Sequence, residues 1–208
     1  MKELTLEITN KCQLECPWCS SVSNPQGIDV NEDVLHEKII EHRNEVDVIR
    51  LSGGEPTLHT ALPRLIDRAR DVRKKIILMT NGQKKFFHPH IDHYIVQIVN
   101  PQSGRTAVTL KFKGYLVSTH VVATKGNEDN LIRAITMMKE ENIPLRILKL
   151  QFQGRGTQCD AMNLLSWTGD NGCNKENKIT LTANQKEVSC SAFKHSSCHF
   201  SRKLRGKE

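Results

Sequence analysis

The polar and apolar residues of this chain alternate in a pattern that predicts strands and helices in regular succession. Near the amino terminus, Leu4, Leu6 and Ile8 alternate with polar residues, which is the two-residue period of a half-buried strand. Further strand-type segments lie at 46–52, 75–80, 94–100 and 145–152. Helices are expected to begin at Asn31, near Leu58, and at Asn127 or Asp129. Strands that alternate with helices predict an α/β fold with parallel strands and right-handed crossovers.

The segment after the fourth predicted strand departs from this alternation. Residues 101–104 are expected to form a turn. Residues 106–112 and 115–123 then predict a hairpin whose second arm becomes the fifth strand of the sheet.

The alternation stops after the strand at 145–152. In the remaining segment, residues 178–182 and 187–189 predict a short hairpin. We therefore divide the chain into a main domain, residues 1–157, and a small cysteine-rich carboxyl-terminal extension, residues 158–208.

Composition and charge bound the class of protein. The 208 residues suit one domain with a small appendage, and the formal net charge is +7. Basic residues concentrate at Arg70, Arg73, Lys74, Lys75, Lys84 and Lys85, and in the tail at Arg202, Lys203, Arg205 and Lys207. Such a surface attracts nucleic acid or acidic peptides, but no recognisable RNA-binding module accompanies it. A solvated basic surface is therefore the preferred interpretation, with nucleic acid as a weaker alternative.

The cysteine content and the short apolar runs indicate a cytoplasmic protein. No apolar run reaches the length of a membrane helix, so no membrane association is expected. The first predicted strand begins within a few residues of Met1, which leaves no room for a secretory signal. Seven cysteines in a reducing compartment favour metal-bound thiolates over disulfides.

Three cysteines form the most informative motif, Cys12-Gln-Leu-Glu-Cys16-Pro-Trp18-Cys19, on the loop that follows the first strand. Thiolates this close in sequence converge well on one soft metal centre. Three thiolates on a 4Fe–4S cluster leave one iron open to a small molecule. A zinc site with a distant fourth ligand is the alternative on spacing alone.

A second motif, Gly53-Gly54-Glu55-Pro56, closes the second strand. Adjacent glycines let a ligand approach the backbone closely, and Glu55 adds an acceptor that can pair with an ammonium group. Alone, two glycines before a helix are also ordinary turn residues.

Taken together, the two motifs resemble those of the radical S-adenosylmethionine (radical SAM) enzymes. The resemblance implies that Cys12, Cys16 and Cys19 hold a 4Fe–4S cluster. It implies that the amino and carboxylate groups of S-adenosylmethionine chelate the open iron, and that the Gly53–Pro56 turn binds that amino group. It also places Trp18 near the adenine and implies a partial (β/α)6, TIM-like barrel.

The same resemblance suggests further cofactor contacts at the ends of later strands. Asn81, in a Thr-Asn-Gly turn, is expected close to the nucleoside, although Asn-Gly is also an ideal simple turn. Asn127, with Lys125 as a further candidate, is expected near the carboxylate of S-adenosylmethionine. Gln153 and Gly154 are expected beside the adenine.

Three histidines, His88, His90 and His93, lie close together in the segment before the fourth strand. No acidic or cysteine cluster accompanies them in the sequence, so we interpret them as ordinary loop residues.

The remaining four cysteines, Cys159, Cys173, Cys190 and Cys198, all follow the predicted barrel. Four thiolates complete either a fully ligated 4Fe–4S cluster or a zinc site, and some of them are alternatively free core cysteines. Their arrangement around the predicted hairpin resembles the twitch-type extensions of several radical SAM families. That resemblance favours an auxiliary 4Fe–4S cluster over zinc.

The implied chemistry is reductive cleavage of S-adenosylmethionine to methionine and a 5′-deoxyadenosyl radical, which takes a hydrogen atom from a substrate. A one-electron donor such as flavodoxin or ferredoxin is expected, and no general acid or base can be nominated. Peptide or protein modification is the favoured class, because of the twitch-like extension and the basic patches. The alternatives are modification of a small molecule or nucleotide, as in the molybdenum-cofactor cyclase or deazaguanine-forming branches, and activation of a glycyl-radical enzyme. A non-catalytic iron–sulfur or zinc protein is the last alternative.

Overall fold

The computed structural model describes residues 1–150, 154–155, 178–181 and 187–188. Its strands are β1 (Glu3–Thr9), β2 (Val48–Gly53), β3 (Lys75–Thr80), β4 (His93–Gln97), β5 (Val117–Ala123), β6 (Leu145–Lys149), β7 (Lys178–Leu181) and β8 (Glu187–Val188). Its helices are α1 (Glu32–Glu41), α2 (Leu62–Asp71), α3 (Pro101–Phe112) and α4 (Glu128–Glu140), and a 3-10 turn covers Pro56–Leu58.

The described strands form one sheet in the order β6–β5–β4–β3–β2–β1–β7–β8. All neighbouring pairs are parallel except β7 and β8, which are antiparallel, as the hairpin pattern predicted. Parallel strands β1 to β6 alternate with helices, which confirms the α/β partial barrel. The connection from β3 to β4 is the exception, because residues 81–92 contain no helix. The domain division at residue 157 stays a prediction.

One face of the sheet packs against the helices and forms the core. Alternate strand residues such as Leu4, Ile49 and Leu78 are fully buried and share a single apolar cluster with the helices. Because successive side chains of a strand point to opposite faces, the residues between them form the second, inner face. The alternating burial of β5 shows the two faces clearly, with Val117 and Val121 buried and Ser118 and His120 half-buried.

The predicted hairpin at 106–123 is wrong, because its first arm is helical. Residues 101–112 form α3, and only the second arm is a strand, β5. The side chain of Asn100 accepts a hydrogen bond from the Ser103 amide, and Pro101 occupies the first turn, where its missing N–H costs nothing. Thr106 and Leu110 then fall on the buried face of the helix. The predicted turn at 101–104 is therefore the first turn of α3.

The helix starts predicted at Asn31 and Asn127 are confirmed. The Asn31 side chain accepts a hydrogen bond from the Asp33 amide at 2.7 Å, and Asn127 immediately precedes α4. Among the described residues we find no helix with the length and apolar character that a membrane-crossing segment requires.

Candidate functional site

The three cysteines of the amino-terminal motif lie on the loop that leaves the carboxyl end of β1. Cys12 is buried, its amide donates to the Asn24 carbonyl at 2.9 Å, and the Cys19 amide donates to the Cys16 carbonyl at 3.1 Å. All three thiols are free of disulfides. The three sulfur atoms lie close enough that a negative charge on Cys12 or Cys19 would disfavour a thiolate at Cys16.

The electrostatics of these thiols fit a metal cluster. Burial raises the pKa of Cys12. Burial, together with the negative charges of Cys12 and Cys19, raises the pKa of Cys16 to about 11. A metal centre among the three sulfurs would reverse this penalty, because its positive charge stabilises thiolates.

The two glycines at the end of β2 allow its backbone to lie directly against the end of β1 and the residues that follow it. A Cβ atom on Gly53 would lie 2.2 Å from the Thr9 carbonyl oxygen, and one on Gly54 would lie 2.2 Å from the Lys11 carbonyl oxygen. Gly53 also has φ +134°, a conformation that favours glycine. The Gly54 and Glu55 amides donate to these same two carbonyls at 2.7 Å. The glycines therefore fix the turn directly against the start of the cysteine loop.

Glu55 is fully buried, and its carboxylate is occupied by protein donors. Its Oε1 atom accepts hydrogen bonds from the Thr57 amide at 3.1 Å and from the hydroxyls of Thr57 and Thr80 at 2.7 Å. Its Oε2 atom accepts from the Asn81 amide at 2.7 Å. Burial raises the pKa of Glu55, and these hydrogen bonds oppose that rise. The carboxylate therefore ties the end of β2 to the end of β3, and its predicted contact with an ammonium group stays a prediction.

Asn81 connects this carboxylate to the cysteine loop. Its side-chain Nδ2 lies 3.5 Å from the Cys12 sulfur. The side-chain amides of Asn81 and Gln13 also exchange hydrogen bonds of 3.3 and 3.4 Å. Cys12, Asn81 and Glu55 therefore belong to one hydrogen-bonded network across the carboxyl ends of β1, β2 and β3.

Arg155 is a site residue that the sequence reasoning missed. Its Nε donates to the Cys16 carbonyl at 2.9 Å, its Nη2 to the Ser23 carbonyl at 2.8 Å, and its amide to the Cys19 carbonyl at 3.0 Å. Its positive charge also acts to lower the pKa of Cys16. No local pattern indicates this role, because Arg155 is 139 residues from Cys16 in sequence.

A sequence model of the radical SAM superfamily matches residues 6–150, which span nearly all of β1 through β6. The chain belongs to the radical SAM superfamily. The cysteine loop, the Gly53–Pro56 turn and Asn81 all lie within the matched region.

Several curated proteins are similar to this radical SAM chain. The 7,8-dihydro-6-hydroxymethylpterin dimethyltransferase of Methanocaldococcus jannaschii is 30% identical over 128 residues, which cover 59% of this chain and 24% of that protein. The PqqA peptide cyclase of Granulibacter bethesdensis is 26% identical, covering 69% of this chain and 38% of that protein. The GTP 3′,8-cyclase of Staphylococcus carnosus is 24% identical, covering 80% and 59%. The matches thus span between 24% and 59% of the length of these relatives.

Solved structures show the same fold. The crystal structure of Streptococcus suis SuiB bound to S-adenosylmethionine has a TM-score of 0.67 at 14% identity, covering 94% of this chain and 61% of that chain. The structure of native anSMEcpe with bound AdoMet has a TM-score of 0.56 at 16% identity, covering 70% and 51%. At this identity the likeness supports the radical SAM barrel and nothing finer.

The other predicted cofactor contacts are only partly described. Trp18 is half-buried in the cysteine loop. Asn127 lies after β5 and donates from Nδ2 to the Val122 carbonyl at 3.0 Å, so its side chain supports the turn that carries Lys125. These contacts with S-adenosylmethionine stay predictions. Gln153 and the cysteines Cys159, Cys173, Cys190 and Cys198 lie outside the described residues.

The structure places an acid beside two of the loop histidines, which the sequence did not reveal. His88 Nε2 and His90 Nδ1 lie 3.6 and 3.0 Å from one oxygen of Asp67 on α2. The His90 amide donates to His88 Nδ1, so the ring proton of neutral His88 is on Nε2, where it faces Asp67. His90 is hydrogen-bonded to Asp67, and the three side chains offer ligand atoms within 4.8 Å of one another. The interpretation of the histidines as ordinary loop residues therefore stays a prediction.

Proposed function

We propose that this chain is a radical SAM enzyme that holds a 4Fe–4S cluster on Cys12, Cys16 and Cys19 and S-adenosylmethionine over the neighbouring strand ends. When bound, the cluster supplies the electron that splits S-adenosylmethionine into methionine and a 5′-deoxyadenosyl radical, which takes a hydrogen atom from the substrate. The single observation that carries the proposal is the network from Cys12 through Asn81 to Glu55.

The residues of the chain prepare the site before any cofactor arrives. Asn81 directs an N–H at the Cys12 sulfur, and such a contact stabilises a thiolate. Arg155 holds two carbonyls of the cysteine loop, so the loop conformation does not depend on the metal alone. Glu55 fixes the Gly53–Pro56 turn, which is the proposed contact of the cofactor amino group. The cost of ordering these groups is thus met largely by the fold.

The proposed substrate class is a peptide or protein. A relative named as a PqqA peptide cyclase, and the likeness to SuiB, which has also been solved bound to the precursor peptide SuiA, support it. Small-molecule or nucleotide modification is the second candidate, because the GTP 3′,8-cyclase match covers 80% of this chain. Co-expression with short open reading frames beside the gene, followed by mass spectrometry, tests the first. Incubation of the reconstituted protein with nucleoside triphosphates tests the second.

The activity itself is tested by anaerobic reconstitution with iron and sulfide. Dithionite and S-adenosylmethionine are then added, and 5′-deoxyadenosine is quantified by chromatography. The wild-type chain should form it, and the triple variant Cys12→Ala, Cys16→Ala, Cys19→Ala should form none. Ser21→Ala, in the same loop, should behave as wild type. A reconstituted wild-type protein that forms no 5′-deoxyadenosine would contradict the proposal.

The auxiliary cluster, the electron donor and the location are further parts of the proposal. Iron–sulfur absorbance that survives in the triple alanine variant would support a second 4Fe–4S cluster on the four later cysteines. Its complete loss would argue against that cluster. Reduction by flavodoxin or ferredoxin in place of dithionite tests the electron donor. Free thiols of this kind require a reducing compartment, so we propose the cytoplasm.

A further inference from the structure

A row of polar side chains crosses the inner face of the sheet. The pairing of β4 with β5 sets Gln97 opposite His120, and the pairing of β5 with β6 sets His120 opposite Arg146. Neighbouring strands lie about 4.8 Å apart, so these three residues are direct neighbours on one face. This face is opposite the apolar cluster, since the adjacent residues Val96 and Val121 are both fully buried in that cluster.

Part of the hydrogen-bonding capacity of this row is unused. Gln97 Nε2 and His120 Nδ1 are buried atoms without a hydrogen-bond partner. Arg146 is exposed, and within residues 1–150 no hydrogen bond or ion pair of its guanidinium is seen. Leaving a buried polar atom unpaired costs about 1–3 kcal/mol. Two such atoms beside an available guanidinium therefore mark a place where a ligand supplies the missing partners.

The charges around the row favour a negatively charged ligand. Arg50, also on the inner face, donates from Nη2 to Glu3 at 2.7 Å, while its buried Nε has no partner. Burial, and after it the positive charges of Arg146, Arg50 and His93, lowers the pKa of His120 to about 4.

Two acidic side chains share this face but lie outside the row. Alternation along β1 places Glu3 and Glu7 on the inner face. Glu3 pairs with Arg50 and offsets its charge, and Glu7 is engaged in an interaction of its own. The row itself, formed by β4, β5 and β6, contains the positive charge of Arg146 and no acidic side chain.

We propose that Gln97, His120 and Arg146 bind an oxyanion of the substrate, either a carboxylate or a phosphate group. The Arg146 guanidinium offers two parallel N–H donors to such a group, the Gln97 amide a third, and the His120 ring a fourth in the tautomer with a proton on Nδ1. This assignment rests on the proposed function, because it names the chemical class of the substrate of the same barrel.

The row lies next to the proposed cofactor contacts at the strand ends. Gln97 is the last residue of β4, whereas His120 lies three residues, about 10 Å, before the end of β5 at Ala123. A substrate held by the row therefore lies beside the cofactor site.

The test measures binding of two simple anions to the full chain with its cluster and S-adenosylmethionine bound. The ring nitrogens of ¹⁵N-labelled His120 are followed by NMR at pH 7 during titration with sodium phosphate or sodium acetate. Chloride keeps the ionic strength constant, so that screening does not change. A saturable shift of the His120 signals is expected. Tighter binding of acetate would indicate a peptide carboxylate, and tighter binding of phosphate a nucleotide.

Matched variants separate a specific site from general attraction by a basic protein. Arg146→Gln should weaken anion binding at least tenfold, and Arg146→Lys should weaken it less, because it keeps the charge but loses the paired donors. Arg133→Gln, on the exposed side of α4, removes the same charge elsewhere and should leave binding unchanged. Circular dichroism confirms that each variant is folded.

Three results would overturn the assignment. They are a His120 signal that does not respond to either anion, equal weakening by Arg146→Gln and Arg133→Gln, and anion binding that appears only when S-adenosylmethionine is left out. The last result would make the row part of the cofactor site. The same preparation is assayed for 5′-deoxyadenosine, so an active enzyme without anion binding refutes only this inference. An inactive one refutes the proposed function, while the anion titration still decides the oxyanion site.

Discussion

Replacement of Glu55 by glutamine tests whether this buried carboxylate holds the site together. The new side chain would keep one oxygen for Thr57 and Thr80, but its NH2 group would face the Asn81 amide, which is also a donor. One charge-assisted hydrogen bond is lost, which costs about 1.5–3 kcal/mol, and the opposed donors add to this. We therefore expect Glu55→Gln to lower the free energy of unfolding by about 2–4 kcal/mol.

The assay is urea unfolding of the metal-free protein under reducing conditions, followed by circular dichroism. The midpoint should fall while the slope stays constant, because the surface exposed on unfolding does not change. Glu37→Gln, at an exposed position on α1, is the matched control and should change the free energy by less than about 0.5 kcal/mol. If Glu55→Gln were as stable as wild type, the carboxylate would not be the structural link between β2 and β3 that its contacts indicate.

Three further predictions concern the same sheet. Gly54→Ala should reduce iron incorporation and stability, because its Cβ atom would lie 2.2 Å from the Lys11 carbonyl oxygen at the start of the cysteine loop. Arg155→Gln should lower the iron retained after chelator challenge, because it releases the Cys16 carbonyl and removes a positive charge beside that thiolate. Stability should fall as the pH drops from about 6.5 to 4, because the depressed pKa of His120 means that the unfolded chain binds a proton which the folded chain resists. His120 should contribute about 1–2 kcal/mol of this loss, since its ring is partly exposed, and urea unfolding at each pH should show that His120→Gln removes that part. His88 and His93, whose pKa values are also lowered, contribute the rest.

The controls separate each effect from a general loss of stability. Gly114 has a positive φ, but a Cβ atom added there would have no neighbour within 4 Å, so Gly114→Ala should cost stability without affecting iron. Arg133→Gln is the control for Arg155→Gln. Equal iron loss in either matched pair, or an unchanged pH profile in His120→Gln, would contradict the corresponding explanation.

The sequence predicted the strands well because their signal is local. The boundaries of β3 were predicted at 75–80 and are found there, since an apolar run bounded by polar residues is sufficient to define a buried strand. The segment at 106–112 was predicted incorrectly because its Thr, Val and Phe residues favour strands. The preceding Asn100-Pro101 pair was an available signal for a helix start, and burial of one face of α3 overrode the intrinsic preference.

The motifs of the candidate site were visible in the sequence, but the contacts that support them were not. Three cysteines in a short loop and two adjacent glycines stand out because particular residue types recur at fixed spacing. The partners of Glu55 lie up to 26 residues away, and Arg155 lies 139 residues from the carbonyl that it binds. Such contacts depend on how the parallel strands bring their carboxyl ends together, and a single sequence does not encode that in any short pattern.

The polar residues on the inner face of the sheet also depend on contacts between strands, and they form the proposed substrate site. In a closed barrel the inward side chains pack against each other and are mostly apolar. In this open sheet they include Arg50, His93, Gln97, His120 and Arg146. Three of these residues, Arg50, Gln97 and His120, carry a buried nitrogen without a hydrogen-bond partner. Alternation alone placed these residues inside, yet only the register of β4, β5 and β6 aligned three of them in one row. Because the proposed cofactor site is built from superfamily motifs, we expect the row to determine which substrate is bound, and its positive charge should favour an anion.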